Sequence, residues 1–157
     1  MTISCFDIHS HLNDPRFEPD LPDVLARMRA ANVATIVVGT DRVMSERAVL
    51  LAEAHPDIWA TVGLHPTDNH KEVFDPAIYA ELAAHPRVVA IGECGLDYHW
   101  PAHDGWPSGE HEEKARQHEL FRAQIAVAQS TKKPLMIHGR PTAGTMDAYN
   151  DILDILS

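Results

Sequence analysis

At 157 residues, 45% of them hydrophobic, the chain is long enough to bury one core, and nothing in it is low-complexity. Its 13 basic against 23 acidic residues give a formal charge of -10, which argues against nonspecific nucleic-acid binding through a broad basic surface; a nucleic-acid ligand would need local help such as bound cations. The two cysteines, Cys5 and Cys94, lie in apolar strand-like stretches and read as buried thiols in a reducing compartment, and with no leader-like or membrane-length apolar run the reading is cytoplasmic, with no membrane partner.

The first strand is "CFDIHSHL". In an extended strand Asp7, His9 and His11 share one face while Ile8, Ser10 and Leu12 take the other. Such a pattern suits a half-exposed edge strand. It also suits a metal site, because two imidazoles at i and i+2 reach one ion from a rigid element while a nearby carboxylate orients a ring.

Further along, "DLPDVLARMRAAN" has helical apolar spacing and "ATIVVGT" follows as a buried strand, making one βαβ unit. The order repeats in "SERAVLLAEAH" with "PDIWATVGLHP", in "PAIYAELAAH" with "PRVVAIGECGLDY", and in "EKARQHELFRAQIAVAQST" with "KKPLMIHGR"; an amphipathic "TMDAYNDILDILS" comes last. The pairs His55-Pro56 and His85-Pro86 each close a helix before a strand, which gives those histidines a structural role. "AHPDIWATVG" and "AHPRVVAIGE" form a weak internal repeat. Alternating β and α at this density predicts a parallel α/β sheet.

Polar, metal-competent residues gather at the C-terminal ends of the strands: Asp7, His9 and His11 on the first, His65 on the third, Glu93 and Asp97 on the fourth, His138 and Arg140 on the fifth. In a parallel barrel those ends open onto one face, where active sites are built. Each residue alone has a plain structural explanation, as turn carboxylate, core imidazole or turn histidine. Together they predict a metal site.

The segments "DIHSHL", "TVGLHP", "IGECGLDY", "PLMIHGR" and the helix "QHELFRAQIAVA" resemble, in this order, the TatD family of metal-dependent hydrolases, deoxyribonucleases within the wider amidohydrolase-like barrels. The Asp-x-His-x-His element is common to many barrel hydrolases, whereas its combination with "IGECGLDY" is specific. The resemblance implies a TIM-barrel-like (β/α)8 metallohydrolase holding two divalent ions (Zn, Mg or Mn) and acting on DNA or an oligonucleotide. It also implies roles. His9 and His11 match the pair on the first metal, Glu93 the catalytic carboxylate bridging both metals, and His138 a histidine of the second metal. Asp7 matches an orienting neighbour, and His65, Asp97 and Arg140 match positions on the substrate side, where a guanidinium suits phosphate oxygens. Two cations sharing a carboxylate would polarise a phosphodiester and acidify water.

A complete barrel of this kind takes about 250 residues, whereas this chain ends at Ser157 in the helix after the fifth strand. The expectation is therefore a single domain, residues 1–157, comprising the first five βα units of an incomplete barrel. Asp147, Asp151 and Asp154 read as solvated helix positions. The loop "DYHWPAHDGWPSGEHEEK" reads equally as a substrate-facing or a plain surface loop, and Thr145 as a helix cap. Three functions stay open: a deoxyribonuclease, an amidohydrolase acting on an amide or lactone, and an inactive fragment that self-associates or assembles with a complementing C-terminal segment.

Overall fold

The structure is a computed structural model and describes residues 3–68, 70, 72–99 and 110–157. Five β-strands alternate with five α-helices: β1 Cys5–Ser10, α1 Leu21–Ala30, β2 Val33–Val38, α2 Arg42–Ala54, β3 Ile58–Val62, α3 Pro76–Ala83, β4 Val88–Asp97, α4 Glu110–Thr131, β5 Leu135–Arg140 and α5 Asp147–Leu156. All strand pairings are parallel and the sheet order is β1-β2-β3-β4-β5. Each crossover helix therefore returns the chain to the same end of the sheet, which puts every strand's C-terminal end on one side.

Local chemistry sets the helix starts. Asp41 accepts the Met44 amide at 2.7 Å ahead of α2, and Asp75 accepts the Ala77 amide at 2.9 Å with Pro76 opening α3. The internal repeat is structural. His55 and His85 each offer a backbone carbonyl to the first residue of the next strand, Ile58 at 3.1 Å and Val88 at 3.0 Å.

Val37, Ile58, Ala60, Val62, Val88 and Ile91 of the strands pack with Leu25, Ala48, Ala52, Tyr79, Ala83 and Leu120 of the helices in the main core. A smaller cluster joins Cys94, Leu96 and Tyr98 to Phe121 of α4 and Ala148 and Ile152 of α5. Among the described residues β1 pairs only with β2 and β5 only with β4, so these two strands are the edges. Cys94 is buried as anticipated, but Cys5 is exposed, because it stands on an edge strand.

Two of the three helix carboxylates also depart from expectation. Asp147 accepts the Thr142 amide at 2.9 Å and hydroxyl at 2.7 Å, and Asp151 accepts the Tyr98 hydroxyl at 2.7 Å. They fasten α5 to the preceding loop and to the end of β4. Only Asp154 matches a solvated position. Thr145 is not the cap expected, since α5 follows Met146 with no side-chain cap bond; its hydroxyl instead donates to Asp147 at 2.8 Å. Residues 100–109 of the long loop, with His103 and both its tryptophans, lie outside the described residues.

Candidate metal centre

The site begins with a break in strand period. Asp7 pairs with Thr35 and Ser10 with Val37, three residues on β1 against two on β2, so an irregularity lies between them. Strict alternation fails there, so period two no longer sets the face of Asp7 relative to the histidines. Its carboxylate instead accepts the backbone N–H of His9 at 3.0 Å. The residue thereby steadies the backbone of the strand end at His9.

His9, inside the irregular stretch, and His11, just past it, have their Nε2 atoms 3.3 Å apart. Oε2 of Glu93 lies 3.3 Å from Nε2 of His9. The other oxygen of Glu93, Oε1, lies 3.1 Å from Nδ1 of His138 and 3.9 Å from Nε2 of His65. Two groups thus share one carboxylate: His9, His11 and Glu93, and His65, Glu93 and His138. His65, expected on the substrate side, stands in the second group, its ring 4.3 Å from that of His138.

Asp97, also expected on the substrate side, is buried behind His138 with Oδ2 2.9 Å from His138 Nε2, while its Oδ1 accepts the His99 amide at 3.0 Å. A histidine held on its far nitrogen by a carboxylate has its ring orientation fixed. Arg140 is exposed and pairs in register with Asp97, and its charge helps to keep that carboxyl ionised.

Glycines let β4 reach this position. A Cβ on Gly92 would fall onto the Met136 carbonyl oxygen and one on Gly95 onto that of His138, and both residues have a positive φ, 147° and 141°. Gly92 and Gly95 of "IGECG" therefore allow the close contact with β5 that brings Glu93 beside His138.

The electrostatics follow from this crowding. Burial, helped by the positive charge of His138, pushes His65 down to about 4. Burial acts against the charged form of His138 too, but its bonds to Asp97 and Glu93 outweigh that and hold it up at about 9. Burial would raise Glu93 and Asp97, yet the bond each receives from His138 keeps both below the usual carboxylate range. At neutral pH the charged His138 ring stands between the ionised carboxylates of Glu93 and Asp97.

The donor set fits divalent metal. Imidazole nitrogen and carboxylate oxygen suit Zn and Mn, and ligands at about 2.0–2.1 Å in a tetrahedron stand roughly 3.3 Å apart, the separation seen from His9 Nε2 to both His11 Nε2 and Glu93 Oε2.

A family model described as TatD related DNase matches residues 6–157. The chain belongs to the TatD-related DNase family. It is 42% identical over 153 residues to the uncharacterized metal-dependent hydrolase YabD of Bacillus subtilis, covering 96% of this chain and 54% of that protein. It is 39% identical over 137 residues to the 3'-5' ssDNA/RNA exonuclease TatD of Edwardsiella piscicida, covering 85% of this chain and 49% of that protein. The crystal structure of the TatD homologue YJJV from Escherichia coli superposes with a TM-score of 0.70 at 23% identity, over 96% of this chain and 64% of that one. This TatD-family chain thus has the fold of that homologue and spans about half the length of the curated relatives it matches.

Three features were missed by sequence reasoning: the membership of His65 in a ligand-like group, the backbone role of Asp7, and the place of Asp97 behind His138. The first was signalled only by its position at a strand end. The other two depend on a strand irregularity and on ring orientation, for which residue spacing carries no signal.

Proposed function

We propose that this TatD-family chain carries the metal-binding part of a divalent-metal-dependent phosphodiesterase acting on DNA or oligonucleotides. The observation that carries the reading is the single carboxylate of Glu93 shared between two groups of histidines. The exonuclease names of several relatives support nucleic acid as the substrate class.

In this reading His9, His11 and Glu93 hold one ion, and Glu93 and His138, with His65 beside them, hold a second. When bound, the ions polarise a phosphate oxygen and acidify water. The remaining work falls to side chains. Glu93 offers one oxygen to each group. His138 gives up the proton on Nδ1 to serve as a ligand while keeping Nε2–H on Asp97, so metal binding releases a proton. Arg140 presents its fork to a phosphate oxygen from the end of β5. The ions also supply the positive potential that a chain of charge -10 lacks.

A complementing segment or a second copy completes the sheet. Edge strands β1 and β5 carry exposed Phe6, Ile8 and Ile137, and α5 carries exposed Leu153 and Leu156, a surface that favours association.

The test is cleavage of end-labelled single-stranded DNA by protein loaded with Mn2+ or Zn2+, beside amide and lactone substrates. DNA cleavage that chelator abolishes is the expected result; turnover of amides or lactones alone would replace this reading with that of an amidohydrolase. Arg140→Ala should raise KM for oligonucleotides roughly tenfold or more at unchanged metal content, since a charge-assisted pair contributes about 1.5–3 kcal/mol.

A further inference from the structure

Helix α4 buries three polar side chains, Glu113, Gln117 and Gln124, on the same side as Leu120, Phe121 and Val127. Burying a primary amide is costly unless both its carbonyl and its NH2 are satisfied. Both glutamines meet this condition in the same way. Gln117 accepts the Asp97 N–H at 2.8 Å and donates to the Asp97 carbonyl at 3.0 Å. Gln124 accepts the Leu64 N–H at 2.9 Å and donates to the Leu64 carbonyl at 2.8 Å. Each side chain thus grips both backbone groups of one residue, as a neighbouring strand would.

The sheet explains why a substitute strand is needed. Ladder pairing between β3 and β4 ends at Val62 and Ile91, but β4 continues to Asp97 and the chain after β3 continues through Leu64 to His65. Leu64 and Asp97 therefore stand past the end of that ladder. Residues seven apart on a helix are about 10.5 Å apart along one face, so a single rigid element braces both strand ends.

What is braced lies next to the site. Leu64 precedes His65, whose Nε2 is 3.9 Å from Glu93, and Asp97 carries the carboxylate that holds His138. We propose that Gln117 and Gln124 are positioning residues: they fix the backbone of Asp97 and of Leu64 at the depth from which Asp97 meets His138 and His65 meets Glu93. The inference rests on the metal-centre reading above for its consequence, a higher metal affinity, and on the hydrogen bonds alone for its geometry.

The experiment compares Gln117→Met, Gln124→Met and Val127→Ala, a buried α4 change that removes no hydrogen bond of either clamp, with the unaltered chain. NMR on metal-free protein reads amide exchange at Leu64 and Asp97 and the ring C–H signals of His65 and His138; calorimetry reads Zn2+ affinity. Gln124→Met should speed exchange at Leu64 at least tenfold and move the His65 ring signal, and Gln117→Met should do the same for Asp97 and His138. Each should weaken Zn2+ at least tenfold, while Val127→Ala lowers stability and changes none of these. Gln→Asn at each position keeps the amide but withdraws it by one methylene from the residue it grips, and gives the same readouts where methionine prevents folding. Ring signals and Zn2+ affinity no different from those of Val127→Ala would overturn the inference. An unaltered chain that binds no Zn2+ would overturn the metal reading instead, and exchange rates and ring signals would still decide the clamps.

Discussion

His9 on β1 and Glu93 on β4 have two strands between them in the sheet, yet their Nε2 and Oε2 atoms are 3.3 Å apart. In a flat sheet three strand spacings would separate the two backbones by roughly 14 Å. The sheet curls, and a hydrogen bond at the same height records it: the Glu93 amide donates to Gly39, just past the end of β2, at 2.9 Å. Closure of this kind converts polar residues scattered over four strand ends into one cluster.

The bond between His138 and Asp97 makes the first prediction. Asp97→Asn removes the charge that orients the His138 ring, and changes to such outer carboxylates typically cost 10- to 100-fold in metal affinity or activity. Calorimetric titration with Zn2+ should show a loss in that range. Unchanged affinity would mean that Asp97 does not act through His138.

Metal-free protein should be most stable near pH 6.5. The folded chain holds the His138 proton up to about 9, so its contribution is complete below the unfolded value of about 6.5 and is lost as pH rises through 9. His65 is held neutral down to about 4, so the unfolded chain binds the extra proton below about 6.5 and stability falls as pH drops towards 4. The depressed carboxyls of Glu93 and Asp97 deepen that acid loss. Each one-proton limb has a slope of up to about 1.4 kcal/mol per pH unit. Thermal melts from pH 4 to 9.5 read both limbs, and His138→Gln should flatten the alkaline one. An alkaline limb that survives the substitution would contradict the assignment.

Gly95→Ala should destabilise the fold far more than an ordinary surface change. The residue has a φ of 141°, and its added methyl would strike the backbone of His138. Strain of this type costs about 1–3 kcal/mol before any clash is counted. Denaturant unfolding measures the loss, and a change within about 0.5 kcal/mol would show that β4 and β5 can separate freely.

The order and type of the elements were legible because βα alternation and the His-Pro punctuation are local signals. His9, His11, Glu93 and His138 were legible as metal-competent residues at strand ends, with the family resemblance naming their partners. The role of Asp7 was not, since one extra residue in β1 breaks the period-two rule that placed it on the histidines' face. Nor were the tasks of Gln117 and Gln124, which exist only because β3 stops short of β4. Asp147 and Asp151 looked like solvated helix residues because the pattern of a helix does not reveal which of its polar positions meet a preceding loop or a tyrosine.

A single carboxylate serving two ions makes metal content depend on Glu93, which metal analysis of Glu93→Gln beside the unaltered protein measures. After loading with Mn2+ and removal of free ion, the unaltered chain should retain two ions and Glu93→Gln fewer than one, because the amide has no charge and cannot offer an anionic oxygen to either group, with DNA cleavage falling at least a hundredfold in step. Retention of two ions by Glu93→Gln, or loss of only one, would contradict a carboxylate common to both groups.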